Sequence, residues 1–483
     1  MQRRAFLAAT IAALLAARHA NAQSPQPLPA LARTAKPKRI VVIGAGLAGL
    51  AAALELDAAG HDVTILEASG RAGGRVRTWR ESFADGLYGE AGAARIPPAH
   101  DLTLGYAKRF GLSFVPFYPA NGIVHDVFGD EVASYPIHGT PDLARLKLAL
   151  TPRERAMGYA ALGDATLAPL VAKMGDPASA DWPPPALAGL DRYTLKEWLA
   201  EQGWSEDSSR LFSVGFEDLE GEWFGLLWVL REIMMSPTSG AALVRIDGGN
   251  DQLPRAFAAA LSGRIRYGHE VTALAQDESG VTIRVRDREP VRADRAIVAI
   301  PYSVLRSVAI ESPIRAGKRR AIEQLPYVSL SRVALQVRGR DWLPRGASGF
   351  ARTKLPSEVW LFSHATRSSR DIVQVYIKGN ASQQLGAMGE DDRVAYATAH
   401  VESIFPGFRH AVEGGTSIWW DREPWARGAH AALAPGQTTE LLPHIATAEG
   451  RLHFAGEHAS AFHGWMQGAL ASGRRAALEA ASA

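Results

Sequence analysis

A β-branched run, Ile40-Val41-Val42-Ile43, that passes without interruption into Gly44-Ala45-Gly46-Leu47-Ala48-Gly49 leaves this chain few folds. Such a run forms a buried parallel strand. The three glycines answer different steric demands: Gly44 permits a sharp turn, Gly46 lets backbone approach a pyrophosphate, and Gly49 lets the next helix sit close on the sheet. That helix runs from Leu47 to Ala59 and stops at Gly60, and its N-terminus is suited to phosphate. A second strand, Asp62 to Leu66, delivers Glu67 about 20 residues after the turn, where a carboxylate accepts hydrogen bonds from a ribose diol. Strand, glycines, helix, strand and acid in this order make a dinucleotide clamp, with Gly44, Ala45, Gly46, Gly49, Glu67 and Ala68 as its candidate contacts.

A second glycine cluster follows, Gly70-Arg71-Ala72-Gly73-Gly74-Arg75-Val76, with Arg71 and Arg75 placed to reach phosphate bidentately and Gly74 opening the backbone beside them. A nicotinamide fold has no standard need for it. Here the chain resembles the flavin amine oxidase family, whose paired-glycine motif contacts the FAD pyrophosphate. Further on, Glu90-Ala91-Gly92-Ala93-Ala94-Arg95-Ile96-Pro97 resembles the L-amino acid oxidases within that family, which implies FAD contacts at Ala94 and Arg95 and a grip of Arg95 on a substrate α-carboxylate.

The resemblance continues along the chain. It implies that Val271 packs on the adenine end of FAD and that Tyr376 contacts substrate; Trp420 and Trp425, for their part, stand in a loop whose aromatics could wall a flat pocket over the flavin. Phe454-Ala455-Gly456-Glu457-His458 and Gly464-Trp465-Met466 resemble the C-terminal FAD motif, with Trp465 lining the substrate cage. A helix starting near Met466 would point its N-terminus at the negative charge of reduced flavin. One departure stands out: many relatives carry a lysine, water-bridged to flavin N5, where Leu330-Ser331-Arg332-Val333 places Arg332. Arginine keeps the charge but is never neutral, so the oxygen-reactivity role is in question. The strand position alone leaves open whether Arg332 faces flavin or, from an edge strand, solvent.

Residues 1–22 combine Gln2-Arg3-Arg4-Ala5-Phe6-Leu7, a short apolar run to Ala17 and Ala20-Asn21-Ala22, resembling a twin-arginine signal. This implies export of a folded, flavin-loaded protein to the periplasm or beyond. The run is too short to span a bilayer, so no stable membrane anchor is expected. Removing Arg3, Arg4 and Arg18 lowers Lys+Arg from 53 to 50, equal to the 50 Asp+Glu. A near-neutral mature chain without a basic stripe argues against a nucleic-acid partner. There is no cysteine, so a cysteinyl flavin link is impossible and non-covalent FAD is expected. His453, His458 and His463 recur every five residues, a spacing that suggests no metal.

The fold class is therefore α/β: a discontinuous Rossmann-like FAD-binding domain from 38–90, 241–320 and 446–483, a mixed-sheet substrate-binding domain from 91–140 and 321–445, and a helical domain at 141–240. A linker at 23–37, with four prolines, follows the leader. Within the helical region, Leu143, Leu146 and Leu150 are spaced for one helix face, and Thr194-Leu195-Lys196-Glu197 is a capping box. The four carboxylates from Glu217 to Glu222 carry no assignable chemistry of their own. The implied activity is FAD-dependent oxidation of L-amino acids to 2-oxo acids, with ammonium and peroxide as products and oxygen as acceptor. The roles of Arg95, Tyr376, Trp465 and Arg332 are those just given, and no side-chain base is compelled. An amine oxidase, a dehydrogenase using another acceptor and a silent flavin-binding protein are the alternatives. The side-chain preference stays open, and a homodimer is allowed but not dictated.

Overall fold

The computed structural model describes residues 31–482 apart from 129, 138, 143–144, 180, 216–222, 236–241, 354–357 and 365–367. The leader, residues 23–30, Leu143 and the acidic run from Glu217 to Glu222 lie outside the described residues.

The β-branched run forms the Arg39–Ile43 strand at the centre of a five-stranded parallel sheet. Its neighbours are Asp62–Leu66 on one side and Arg295–Val298 on the other, with Ile265–Arg266 and Leu452–Phe454 outermost. Five strands from three distant stretches of chain thus make one sheet, and it is apolar because helices cover it. The Leu47–Ala58 helix packs against the C-terminal Met466–Ser482 helix. Gly473 makes that approach possible, since a Cβ there would collide with the Ala48 carbonyl.

A four-stranded sheet, ordered Val291–Ala293, Gly280–Val285, Val271–Asp277 and Ala309–Ile310, lies beside the first. Ile265–Arg266 joins the parallel sheet, whereas Val271–Asp277 hairpins with Gly280–Val285.

The third sheet has seven strands in the order Val412–Trp419, Leu330–Arg338, Arg370–Lys378, Glu358–Leu361, Ala347–Thr353, Ile123–Phe128 and Glu131–Pro136. Leu330–Arg338 is paired on both sides, so Arg332 sits on an interior strand.

Helices from Pro152–Met157 to Leu226–Met235 form the remaining layer. The capping box at Thr194 is made, with the Thr194 hydroxyl accepting from Glu197 N–H and the Glu197 carboxylate accepting from Thr194 N–H. A second box caps Pro152–Met157 at Thr151. Leu146 and Leu148 do not continue an α-helix but pack against Phe128, Ala133 and Tyr135 of the seven-stranded sheet. Tertiary packing there overrides a helical spacing.

Candidate active site

The glycine-rich part of the candidate site is built from backbone. Gly44 takes φ +101°, and its N–H donates to the Leu66 carbonyl at 2.8 Å. A Cβ on Gly49 would collide with the Gly44 carbonyl, so the helix seats on the turn only because this residue is glycine. Gly46 has the opposite environment: a Cβ there would meet nothing within 4 Å, which leaves open space against bare backbone at a helix N-terminus. Gly74 borders the same space, its nearest neighbour being the Gly46 Cα. Glu67 is buried, accepting from Ala45 N–H at 2.7 Å through one oxygen and from Ser69 N–H at 2.8 Å through the other. Its position is therefore fixed by the turn it serves, with half-buried Ala68 beside it. Val271 opens its strand two residues after His269, whose N–H donates to the Glu67 carbonyl at 2.8 Å.

The two arginines of the second cluster are engaged by protein acceptors. Arg71 Nη2 donates to the Gly74 carbonyl at 2.7 Å and so braces its own loop. Arg75 Nη1 donates to Glu457 Oε1 at 2.7 Å and to the Ala429 carbonyl at 2.9 Å. Glu457 also accepts from Gly464 N–H at 2.8 Å. Burial alone would raise its pKa, but Arg75, two histidines and that amide hold it down to about 2. This ion pair draws the phosphate loop and the C-terminal motif together, with Gly456 at φ +140° before it and Gly464 at φ +77° after it. Buried Met466 then begins the last helix.

The other part of the candidate site is a row across three strands. Arg332 is registered with Tyr376, and Tyr376 with Glu358, so all three project from one sheet face. Trp360, two residues from Glu358 on the same face, stacks on Tyr376 with centroids 5.3 Å apart. Arg95 reaches this row from outside the sheet. Its Nη1 and Nη2 pair with the two oxygens of Glu358 at 3.1 and 3.2 Å, and its guanidinium lies over Trp360 and Phe117. Trp360 Nε1 donates to the same carboxylate at 2.5 Å. Arg332 is buried with its Cζ 4.7 Å from the Tyr376 centroid, and its Nη1 donates to the Gly92 and Glu90 carbonyls at 2.6 and 3.1 Å. Burial pulls its pKa below the ordinary arginine value.

Trp420 is buried and donates from Nε1 to the Ala91 carbonyl at 2.9 Å, whereas Trp425 is exposed. Arg332 and Trp420 thus clamp the short chain segment that leads through buried Ala94 to Arg95. Trp465 stands edge-on to His100 with centroids 5.0 Å apart and donates to Glu232 at 3.1 Å, facing the helical layer. Burial lowers His458 and His463 to a pKa of about 3. Among the described residues, no group of three or more His, Asp or Glu side chains could hold a metal ion. Sequence reasoning missed Glu358, Trp360 and Phe117. The available signal was an acid and a tryptophan two apart in a strand, which share a face, but its meaning depends on register with Tyr376.

The family described as flavin containing amine oxidoreductase matches residues 47–481. YobN of Bacillus subtilis (strain 168) is 34% identical, over 93% of this chain and 96% of its own length. The L-amino-acid oxidase of Siganus canaliculatus is 29% identical, over 91% of this chain and 84% of its own. Among solved structures, cyclohexylamine oxidase from Brevibacterium oxydans IH-35A superposes with a TM-score of 0.79 at 23% identity, covering 92% of this chain and 99% of that one, a likeness of fold. With the glycine turns, buried Glu67 and the arginine-lined row already in place, the chain belongs to the flavin-containing amine oxidoreductase family and is an FAD-dependent oxidoreductase. Its residues fit that cofactor: the open space at Gly46 and Gly74 suits a pyrophosphate, and buried Glu67 suits a ribose diol.

Proposed function

We propose that the protein oxidatively deaminates L-amino acids to 2-oxo acids, releasing ammonium and hydrogen peroxide. The observation that carries this reading is Arg95, a buried guanidinium held over Phe117 and Trp360 beside the Arg332–Tyr376–Glu358 row. The name of the Siganus relative supports it. Glu358 accepts from both Nη atoms of Arg95, so a substrate α-carboxylate would meet a guanidinium whose plane is already set. Tyr376 and Trp360 wall the space, and Trp465 orients the substrate from the helical side. FAD held at Gly46, Gly74 and Glu67 would supply the redox chemistry, the two-electron oxidation of the substrate Cα–N bond with oxygen as final acceptor. The residues of this chain contribute position and exclusion of water, and positioning carries most of the acceleration.

The test is a double difference. Peroxide and ammonium are measured with L-alanine, L-phenylalanine, L-arginine and L-glutamate and with their decarboxylated amines, in wild type and Arg95→Lys. Lysine keeps the charge and loses the fork, so kcat/KM for amino acids should fall by about 2 to 5 kcal/mol while amines change far less. Equal losses on both substrates would make Arg95 structural and favour an amine oxidase. A second reading, a dehydrogenase that uses an acceptor other than oxygen, is favoured by Arg332 tied to the Glu90 and Gly92 carbonyls at the usual lysine position. It predicts turnover with an artificial acceptor and none with oxygen.

The twin-arginine leader supports a periplasmic or secreted location. Arg3→Lys with Arg4→Lys should hold flavin-loaded precursor in the cytoplasm. Normal delivery of that double variant would point to the general secretory route.

A further inference from the structure

The Leu226–Met235 helix meets the C-terminal motif through two side chains of one face. Trp228 and Glu232 are four residues apart and so stand one turn apart on that face. Trp228 is buried and donates from Nε1 to His463 Nδ1 at 3.1 Å, and Glu232 accepts from Trp465 Nε1 at 3.1 Å. An indole nitrogen only donates, so His463 is a neutral ring with its proton on Nε2. Between them, Gly464 donates its N–H to Glu457. His463, Gly464 and Trp465 are thus held by three different partners, two of them from the helical layer.

The backbone of Trp465 is fixed by the last helix, where the Gly468 and Ala469 N–H groups donate to its carbonyl at 3.1 and 3.3 Å. The ring is less constrained, because the χ2 torsion of tryptophan is broad and backbone alone leaves the indole free to turn. His100, five residues beyond Arg95 and buried, meets the ring edge-on with centroids 5.0 Å apart and an interplanar angle of 80°. That contact limits the indole on one side, and the bond to Glu232 fixes where its N–H points. We infer that Glu232 is a positioning residue of this site: its carboxylate sets the Trp465 indole, and through that ring the helical layer shapes the space in which the substrate is held. The inference rests on Trp465 orienting the substrate, as given above.

The holoenzyme is assayed with L-phenylalanine and with phenethylamine, rates being taken per bound flavin, as wild type, Glu232→Gln, Glu232→Asp, Trp465→Phe and the double variant of the last two. Glutamine keeps the reach and an acceptor oxygen, whereas aspartate keeps the charge and withdraws it by one methylene. Both keep a hydrogen-bonding side chain at a half-buried position. In Glu232→Asp kcat/KM should fall by about tenfold or more, and in Glu232→Gln it should stay within about threefold of wild type. Trp465→Phe removes the indole N–H, so adding Glu232→Asp to it should cost nothing further. Titration with benzoate, followed by the flavin absorbance, reads the same wall without turnover and should show weaker binding in Glu232→Asp alone of the two Glu232 variants. Independent losses in the double variant, a loss in Glu232→Gln as large as in Glu232→Asp, or kinetics and benzoate affinity unchanged in both would overturn the inference. Flavin lost from both Glu232 variants would make Glu232 structural and overturn it too. Coupled losses with phenethylamine, while L-phenylalanine is not oxidised, would overturn the L-amino acid reading and keep the positioning role.

Discussion

Lys318 offers a stability test with a magnitude set by its surroundings. It lies on the Ala316–Gln324 helix, is 0% exposed, and donates to the Ile445 carbonyl at 2.6 Å and to the Tyr302 hydroxyl at 3.0 Å. Its Nζ lies 3.8 Å from the centroid of Phe454, which ends the strand leading into the Gly456-Glu457 motif. Both hydrogen-bond partners are neutral, and burial lowers its pKa from 10.5 to about 6. Between those values the unfolded chain binds a proton that the folded chain does not, so stability rises with pH across this window. At pH 7 the cost of keeping the amine neutral is about 4 to 5 kcal/mol, and at pH 9 about 2. Lys318→Met removes that cost while filling a similar volume. Tyr302 still donates to Ile445 at 2.7 Å, so the carbonyl keeps a partner. The variant should therefore unfold at a higher temperature than wild type, with a clearly larger gap at pH 7 than at pH 9. Scans at one rate are compared, since a large flavoprotein can unfold irreversibly. A gap independent of pH, or a less stable variant at both, would refute the depressed pKa and the argument built on it.

Glu67→Ala removes a buried carboxylate and leaves the Ala45 N–H without its acceptor. The dissociation constant for FAD, measured on the reconstituted protein, should weaken by about 1.5 to 3 kcal/mol, and unchanged affinity would remove Glu67 from the ribose site. Glu358→Gln keeps shape but leaves the Arg95 charge with a neutral partner inside the protein. Urea unfolding should show a loss of about 3 kcal/mol, and wild-type stability would mean that the pair contributes little.

What could be read in advance divides by range of interaction. The turn at Gly44–Gly49 and the acid at Glu67 are local, held in about two dozen consecutive residues, and their chemistry follows from backbone sterics that any sequence must obey. Tyr376 was legible only through family resemblance, because a tyrosine in a strand has no local mark of function. Glu358 was not legible: its role needs Arg95, 263 positions earlier, and a register that places it opposite Tyr376. Arg332 shows the same limit, since only the pairing of both strand edges establishes that it is interior.

The two ends of the site are coupled through one piece of backbone. The Ala91 and Gly92 N–H groups donate to the Arg77 carbonyl at 2.9 and 3.0 Å, and a Cβ on Gly92 would collide with the Arg75 carbonyl. The segment that carries Arg95 is therefore laid directly on the second glycine cluster. Arg75 of that cluster holds Glu457 at the C-terminal motif, and Arg332 holds the Glu90 and Gly92 carbonyls from the seven-stranded sheet. Two arginines, Arg75 in the glycine-rich turn and Arg332 on the seven-stranded sheet, thus secure opposite sides of one strip of main chain. A change that shifts residues 75–77 therefore displaces the Arg95 guanidinium as well as the glycine-rich loop.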